Sequence, residues 1–118
     1  MEVTFRTRNV ELPDHLRAKA RDKVARLAKH LDGWEQAEVS LSGERNPRIA
    51  DREVCEVTLR GYGQVLRARA ATPDPLTSVD RVVDKLHAQI EALKGRLLLR
   101  AHPSEPPTGG EAPSAGDG

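Results

Sequence analysis

The sequence has few aromatic residues, almost no cysteine and no long apolar run. Its 118 residues include one Phe, one Trp, one Tyr and one Cys. Because the lone Cys55 has no partner for an internal disulfide, we expect a cytoplasmic protein rather than a disulfide-stabilised secreted one. No stretch of about 18 apolar residues occurs, so no membrane span is predicted. The amino-terminal residues also lack the apolar core of a secretory signal.

Catalytic and ligand-binding motifs are equally scarce. The sequence has no glycine-rich phosphate loop and no nucleophile elbow. The four histidines are far apart without a local metal-ligand spacing, and Cys55 falls on the buried face of a predicted strand. The acids Asp80, Asp84 and Glu91 fit a solvated helix flank better than an acid–base pair. We therefore expect no enzyme, no cofactor, no metal site and no small-molecule substrate.

Basic residues are abundant and unevenly distributed. Fourteen of the 19 basic residues are arginine. All 19 lie within residues 1–100, which also hold 15 of the 18 acidic residues, so this part carries +4 against +1 for the whole chain. The planar fork of arginine suits phosphate, and its face stacks on bases. The net positive charge and the high share of arginine favour a polyanionic partner. An ordinary solvated surface of mixed charge is the alternative explanation.

Hydrophobic spacing predicts a strand and then a helix at the start of the chain. Residues 1–8 alternate in polarity, as a half-buried strand does. Pro13 suits a helix start, and Asp32-Gly33 closes the helix. Its apolar residues recur three or four positions apart, at Leu16, Ala20, Val24, Leu27 and Leu31.

Three further strands are predicted after this helix. They cover about residues 37–42, 52–60 and 64–71. The last two are joined by Gly61-Tyr62-Gly63, where glycine permits positive φ, so we expect antiparallel neighbours. One face is apolar, with Val39, Leu41, Cys55, Val57, Leu59, Leu66, Ala68 and Ala70. Arg60, Arg67 and Arg69 point the other way, so the sheet buries one side only.

The strongest periodic signal lies in a second helix. Asp74 is the predicted N-cap, and Pro75 fits the first turn. Apolar residues follow at Leu76, Val79, Val83, Leu86, Ile90, Leu93 and Leu97. A coiled coil has similar spacing, but here a sheet face is available for the helix to cover. Residues 101–118 are mostly Pro, Gly, Ser, Ala and Glu, which predicts a disordered tail or linker.

The order of these elements predicts one α+β domain over residues 1–100. The order is β-α-β-β-β-α, with both helices packed on the same face of a four-stranded sheet. A chain of 118 residues suits a single domain of this size.

Both helices carry a ridge of basic residues beside the apolar stripe. On the first helix the ridge is Lys19, Lys23, Arg26 and His30, flanked by Lys29 and Arg21. On the second it is Arg81, Lys85 and Arg96, with Lys94 close by and the acids on another flank. Such segregation adds repulsion without aiding folding, so it indicates a surface for a polyanion. A solvated surface is the alternative.

The scarcity of aromatic residues limits the kind of nucleic acid that fits. We expect Phe5 and Trp34 in the core, which leaves the sheet without a platform for stacking single-stranded bases. Contact through phosphates and shape remains. Such binding is salt-sensitive and weakly sequence-specific.

Short matches to a known family occur in order along residues 1–99. They are Asn9-Val10-Glu11-Leu12, Leu16-Arg17 and Lys23-Val24-Ala25-Arg26-Leu27, then Asp74, Val79-Asp80, Asp84-Lys85-Leu86, Gln89, Lys94 and Leu97. With these matches the chain resembles ribosome hibernation-promoting factors, also called ribosome-associated inhibitors or sigma-54 modulation proteins.

The resemblance implies a fold similar to double-stranded-RNA-binding domains and a site on the small ribosomal subunit. There the protein overlaps the messenger channel and the tRNA positions, and it inhibits translation by occupancy in resting or stressed cells. The family's basic helix positions face ribosomal RNA and are filled here by Lys23, Arg26, Lys29, Arg81, Lys85, Lys94 and Arg96. Lys19 on the first ridge completes the predicted RNA-binding set. Ala88 and Ala92 stand where the family frequently has basic residues. We therefore expect more of the RNA contacts to come from the first helix and from the remaining basic residues of the second.

Two further expectations concern partners. Long family members add a C-terminal domain that pairs ribosomes, and without it we expect this protein to be monomeric. The competing hypothesis is a protein-interaction module that regulates a partner enzyme or the transcription apparatus. Its footprint would be apolar, for example Leu97-Leu98-Leu99, although capping of the sheet edge explains that patch as well.

Overall fold

The structure, a computed structural model, describes residues 1–30, 33–61 and 63–101, without the side chains of residues 98–101. Its elements are β1 (Glu2–Arg8), α1 (Asp14–Ala28), β2 (Trp34–Gly43), β3 (Glu53–Gly61), β4 (Gln64–Thr72) and α2 (Pro75–Ala101). The predicted α+β class and element order are confirmed. The predicted tail lies outside the described residues, apart from Ala101 at the end of α2.

The four strands form one sheet in the order β1-β2-β3-β4. β1 runs parallel to β2, because α1 carries the chain back across the sheet between them. The other neighbours are antiparallel, as predicted for β3 and β4. Phe5, Val39, Val57 and Ala68 are paired in one row across the sheet. Their side chains therefore share one face, and the neighbouring polar residues share the other.

The core lies between the apolar sheet face and both helices. α1 contributes Ala20, Val24 and Leu27, and α2 contributes Val79, Val82, Leu86, Ile90 and Leu93, all of which are buried. Full burial of a large aliphatic side chain contributes about 1.5–3 kcal/mol. The two helices thus lie on the same face, as predicted.

The buried stripe of α2 differs from the prediction at one position. Val82 is fully buried, whereas Val83 is only partly buried and lines a groove between the helices. Both residues fit a helical repeat between Val79 and Leu86. The sheet below α2 covers Val82, and the neighbouring helix leaves Val83 at the groove.

The end of α1, the start of β2 and the burial of one aromatic residue also differ from the predictions. α1 ends at Ala28, with Lys29 as its C-cap, so it stops before the predicted closure. The predicted Leu31 and Asp32 lie outside the described residues. β2 begins at Trp34, earlier than expected, and is irregular there. Trp34 is buried as predicted, but Phe5 is only partly buried against the core.

Hydrogen bonds fix the start of α2 on the sheet. Asp74 Oδ2 accepts from the Thr77 backbone N–H at 2.9 Å and from the Thr77 hydroxyl at 3.0 Å, so the predicted N-cap is confirmed. The hydroxyls of Thr72 and Ser78 lie 2.7 Å apart, and the Ser78 hydroxyl donates to the Glu53 carbonyl. These bonds set the position of the first turns of α2. In the described residues, no helix is long and apolar enough to cross a membrane.

Candidate nucleic-acid interface

The basic ridge of α1 faces the acidic flank of α2. The Nζ atom of Lys23 lies 2.7 Å from Oδ1 of Asp80. Around this ion pair is an open groove between the helices, which we call the groove surface. Lys23, Arg26 and His30 line it from the α1 side, and Asp80, Val83, Asp84 and His87 from α2. Basic side chains on the α1 side therefore face carboxylates of α2 across this surface.

The basic ridge of α2 lies on the other side of that helix, along strand β4. Lys85 Nζ donates to the Arg69 carbonyl at 2.7 Å, and Gln89 Nε2 donates to the Arg67 carbonyl at 3.0 Å. β4 is the last strand of the sheet, so these side chains satisfy carbonyls of an edge strand. We call this side the edge surface and define it as Arg67, Arg69, Arg81, Lys85 and Arg96.

The edge surface keeps its positive charge. Arg81, Lys85 and Arg96 are exposed, and none of the ion pairs in the described part of the chain involves them. Arg67 alone has a carboxylate within reach, Glu56 Oε2 at 4.0 Å, and both side chains are exposed. A pair of that length in solvent contributes little. The edge surface is therefore a largely unneutralised cationic strip.

Two cations lie away from the ridges to which the sequence assigned them. Lys94 is 3.6 Å from Glu91, whose other partner is His87, so Lys94 lies on the acidic flank and not near the α2 ridge. Arg21 does not flank the α1 ridge. Its Cζ lies 5.3 Å from the centre of the Phe5 ring on β1. Successive residues of an α-helix are rotated by about 100° around its axis. Residues only two or three positions apart can therefore lie on different sides of the helix.

The remaining predicted residues are exposed on α1 or just after it. Lys19 is one turn before Lys23 on the same ridge. Lys29 caps the end of α1 and lines a depression with Met1 and Trp34, away from the groove surface. The eight predicted RNA-binding residues thus do not form one continuous surface.

The open face of the sheet is polar. In the residues that the structure describes it carries no aromatic side chain. Its charges are partly paired, with Arg60 at 3.8 Å from Glu38 and Arg67 at 4.0 Å from Glu56. Stacking of bases therefore has no support on the described part of this face.

The sequence did not identify Arg67 and Arg69 as neighbours of the α2 ridge. Their alternation assigned them to the solvent face of the sheet, which is where they lie. Their position on the edge strand also makes them line a groove of about 520 Å³ together with Lys85, Ala88 and Ala92. The available signal was the short link from β4 to α2, which places these two elements side by side.

Cys55 lies in the core, as predicted, whereas two of the histidines meet in the fold. Burial, together with the nearby Glu56 carboxylate, raises the pKa of the Cys55 thiol from 9.0 to about 12. Such a thiol stays protonated and is a poor nucleophile and metal ligand. His30 and His87, far apart in sequence, meet across the groove with ring centres 4.4 Å apart. Their separation in the sequence therefore does not keep these two histidines apart in the fold.

The fold and the edge surface together define a class of protein. It is an α+β domain with an exposed cationic strip and, in the described residues, no aromatic side chain on the open sheet face, and these features suit contact with phosphates. The family described as Sigma 54 modulation protein / S30EA ribosomal protein matches residues 3–98. The chain belongs to this family.

Several named proteins are similar to this chain. The ribosome hibernation promotion factor of Mycobacterium tuberculosis is 36% identical over 98 residues, covering 80% of this chain and 44% of that protein. That of Lactococcus lactis is 35% identical over 99 residues, covering 82% and 51%. The chain thus spans about half the length of these relatives. The ribosome hibernation promoting factor of Escherichia coli is 29% identical over 97 residues and is covered to 97%.

Solved structures agree on the fold. The Protein Y N-terminal domain of Thermus thermophilus has a TM-score of 0.63 and 27% identity, covering 78% of this chain and 94% of that chain. A ribosomal subunit interface protein from Coxiella burnetii has a TM-score of 0.71 and 18% identity, covering 80% and 99%. The second likeness shows the fold alone.

Proposed function

We propose that this protein is a ribosome hibernation factor. It binds the small ribosomal subunit in the messenger and tRNA channel of the cytoplasmic ribosome and inhibits translation in resting or stressed cells. Family membership and relatives named for ribosome hibernation support the role. The observation that carries the mode of binding is the unneutralised cationic strip of the edge surface.

The edge surface is suited to a run of phosphates. Arg81, Lys85 and Arg96 follow one ridge of α2, and at about 1.5 Å per residue this ridge extends about 22 Å. Arg67 and Arg69 on β4 add exposed cations at the same edge of the sheet, with their side chains on its open face. Arginine at most of these positions allows paired hydrogen bonds to phosphate oxygens. The strip can therefore hold a folded RNA backbone without reading its bases.

The groove surface should contribute less to RNA binding than the edge surface. Lys23 already has a carboxylate partner in Asp80, and Asp84 adds negative charge to the same groove. Lys94 is similarly paired with Glu91. Lys19, Arg26 and Lys29 have no ion pair in the described residues and stay in the proposed set. We therefore assign the larger share of phosphate contact to the edge surface.

Inhibition in this proposal needs no chemical step. The protein occupies the channel, and the messenger and tRNAs are excluded while it is bound. The high pKa of Cys55 fits this mechanism, because the thiol is buried and protonated rather than available for reaction. Affinity and concentration then set the degree of inhibition.

Co-sedimentation with purified small subunits tests the proposal. Wild-type protein should pellet with the subunits at about 50 mM salt and dissociate as salt rises, since phosphate contacts release counterions. Arg81→Glu with Lys85→Glu should abolish pelleting while circular dichroism stays unchanged. Arg48→Glu with Arg52→Glu is the matched control, because both arginines are exposed in the loop between β2 and β3. The same variants should rank identically as inhibitors of cell-free translation.

Two outcomes would contradict the proposal. One is full retention of Arg81→Glu with Lys85→Glu on the subunits, and the other is a complex that salt does not weaken. Capture of a protein partner from RNase-treated lysate would favour the interaction-module alternative instead. For the apolar patch of that alternative, Leu97 is partly buried against the core, and the side chains of Leu98 and Leu99 lie outside the described residues.

A further inference from the structure

Three side chains with metal-binding atoms meet at one end of the groove surface. His30, His87 and Glu91 each offer a ligand atom, and these atoms all lie within 4.8 Å of one another. His87 and Glu91 are one turn apart on α2. His30 comes from the other helix, just beyond the C-cap of α1. The cluster therefore joins two elements that are far apart in the sequence.

The backbone and the rings position these groups. The His30 N–H donates to the Leu27 carbonyl at 3.2 Å, which holds the residue in the final turn after α1. The His30 and His87 rings meet edge to face at 67°, with centres 4.4 Å apart. His87 Nε2 lies 3.7 Å from Glu91 Oε2. Leu27 and Val83 belong to the core and its border, so the cluster sits on a packed base.

We propose that His30, His87 and Glu91 bind a divalent transition-metal ion of the zinc class. Two imidazole nitrogens and one carboxylate oxygen are ligands that zinc uses in sites with an open fourth position, which water fills. Magnesium and calcium prefer sites made of oxygen ligands, so this donor set disfavours them. Cys55 takes no part, because its thiol is buried in the core.

The distances suit closure by side-chain rotation. Ligands about 2.1 Å from a tetrahedral ion lie about 3.4 Å apart, so the widest pair must approach by roughly 1.4 Å. His30 and Glu91 are exposed and can rotate, whereas the partly buried His87 serves as the fixed ligand. The Lys94 ammonium lies 3.6 Å from Glu91 and competes for that carboxylate. An ion at this position would connect the end of α1 to the middle of α2.

Cobalt(II) titration of the full chain, monitored by its visible absorption, tests the site. Wild-type protein should bind one ion, and zinc should displace it. His30→Ala, His87→Ala and Glu91→Gln should each weaken binding by at least about 100-fold, since even loss of an indirect supporting residue costs about 10–100-fold. His15→Ala is the matched control and should bind as wild type does, because His15 lies at the opposite end of α1 from His30. Magnesium should neither bind nor displace cobalt.

The fold of each variant is checked by circular dichroism, so a loss of binding reports the site. Zinc should also raise the melting temperature of wild type and of His15→Ala, but not of His30→Ala or His87→Ala. Absence of cobalt binding to wild type, or equal binding by His30→Ala and His87→Ala, would overturn the inference. Ribosome binding is not part of this measurement, so its outcome is independent of the proposed function.

Discussion

The basic side chains on the two sides of α2 have different partners. On the groove surface, Lys23 is 2.7 Å from the carboxylate of Asp80. On the edge surface, Lys85 is 2.7 Å from the carbonyl of Arg69, which orients the ammonium without cancelling its charge. A cation that already has a carboxylate partner must lose it to bind phosphate fully. The number of basic residues on a surface therefore does not by itself measure its affinity for RNA.

The acidic residues are also distributed unequally between the two surfaces. Asp80 and Asp84 line the groove surface and repel phosphate there. On the edge surface, Glu56 is the acid nearest to a cation, at 4.0 Å from Arg67 across the open sheet face. Charge segregation around α2 thus makes the edge surface cationic and places the acids on the side that faces α1.

The largest expected effect comes from the residue that supports both sides. Leu86 is fully buried between the sheet and the helices. Leu86→Ala should lower the free energy of unfolding by about 2–5 kcal/mol, because it removes buried carbon and leaves a cavity. Urea unfolding measures this loss. Val65→Ala, at a side chain 52% exposed, is the control and should change the free energy by less than about 0.5 kcal/mol. Equal effects of the two substitutions would contradict the packing described for α2.

A smaller effect is expected in the pH dependence of the free energy of unfolding. It comes from a core residue and from neither surface. The folded pKa of Cys55 is raised from 9.0 to about 12, so the thiol ionises first in the unfolded chain. Between these values the unfolded state binds fewer protons, and stability falls as pH rises. From about pH 8 to about pH 10 this thiol should account for a loss of about 1.4 kcal/mol. Urea unfolding at both pH values should show that Cys55→Ala loses less stability than wild type. The same loss in both proteins would contradict the shift.

The N-cap of α2 should contribute about 1 kcal/mol. Asp74→Ala removes the acceptor for the Thr77 N–H and loosens the first turn, just before Arg81. Asp74→Asn keeps an acceptor and should stay near wild type. Thermal unfolding of the two variants measures the difference. If Asp74→Asn lost as much stability as Asp74→Ala, the cap would not be the cause.

The smallest expected effect is a gain in RNA binding on the groove surface. Asp80→Asn removes the partner of Lys23 and a charge that repels phosphate. Binding to small subunits should tighten by about two- to fivefold, while stability changes by less than about 1 kcal/mol. Asp51→Asn, the same change in an exposed loop, should leave affinity unaltered. Weaker binding by Asp80→Asn would show that the ion pair orients Lys23 for RNA.

Much of the fold follows from periodicity in the sequence. Alternation identified the strands, and the three- and four-residue spacing identified both helices, because each pattern reports one buried side. Val83 was misplaced since either valine fits the repeat, and only the packed sheet and helix distinguish them. The start of β2 was missed because Glu35 and Gln36 are polar and the strand is irregular there.

The sequence predicted the basic ridge of α2 but not the surface around it. Spacing placed Arg81, Lys85 and Arg96 on one ridge, and Lys85 lies there with its side chain on β4. Which side of α2 faces α1 depends on tertiary packing, so the pairing of Lys23 with Asp80 had no signal in the sequence. The meeting of His30 and His87 likewise depends on how the helices cross, which local spacing does not report.

The salt dependence of binding to small subunits tests the central comparison most directly. Arg81→Gln with Lys85→Gln and Lys23→Gln with Lys94→Gln each remove two positive charges, one pair from the edge surface and one from the ion pairs beside α1. Each lost phosphate contact lowers the slope of log K against log salt by about 1. We predict that the first variant lowers the slope by about 2 and the second by less than about 1. Equal reductions in the two variants would contradict the account.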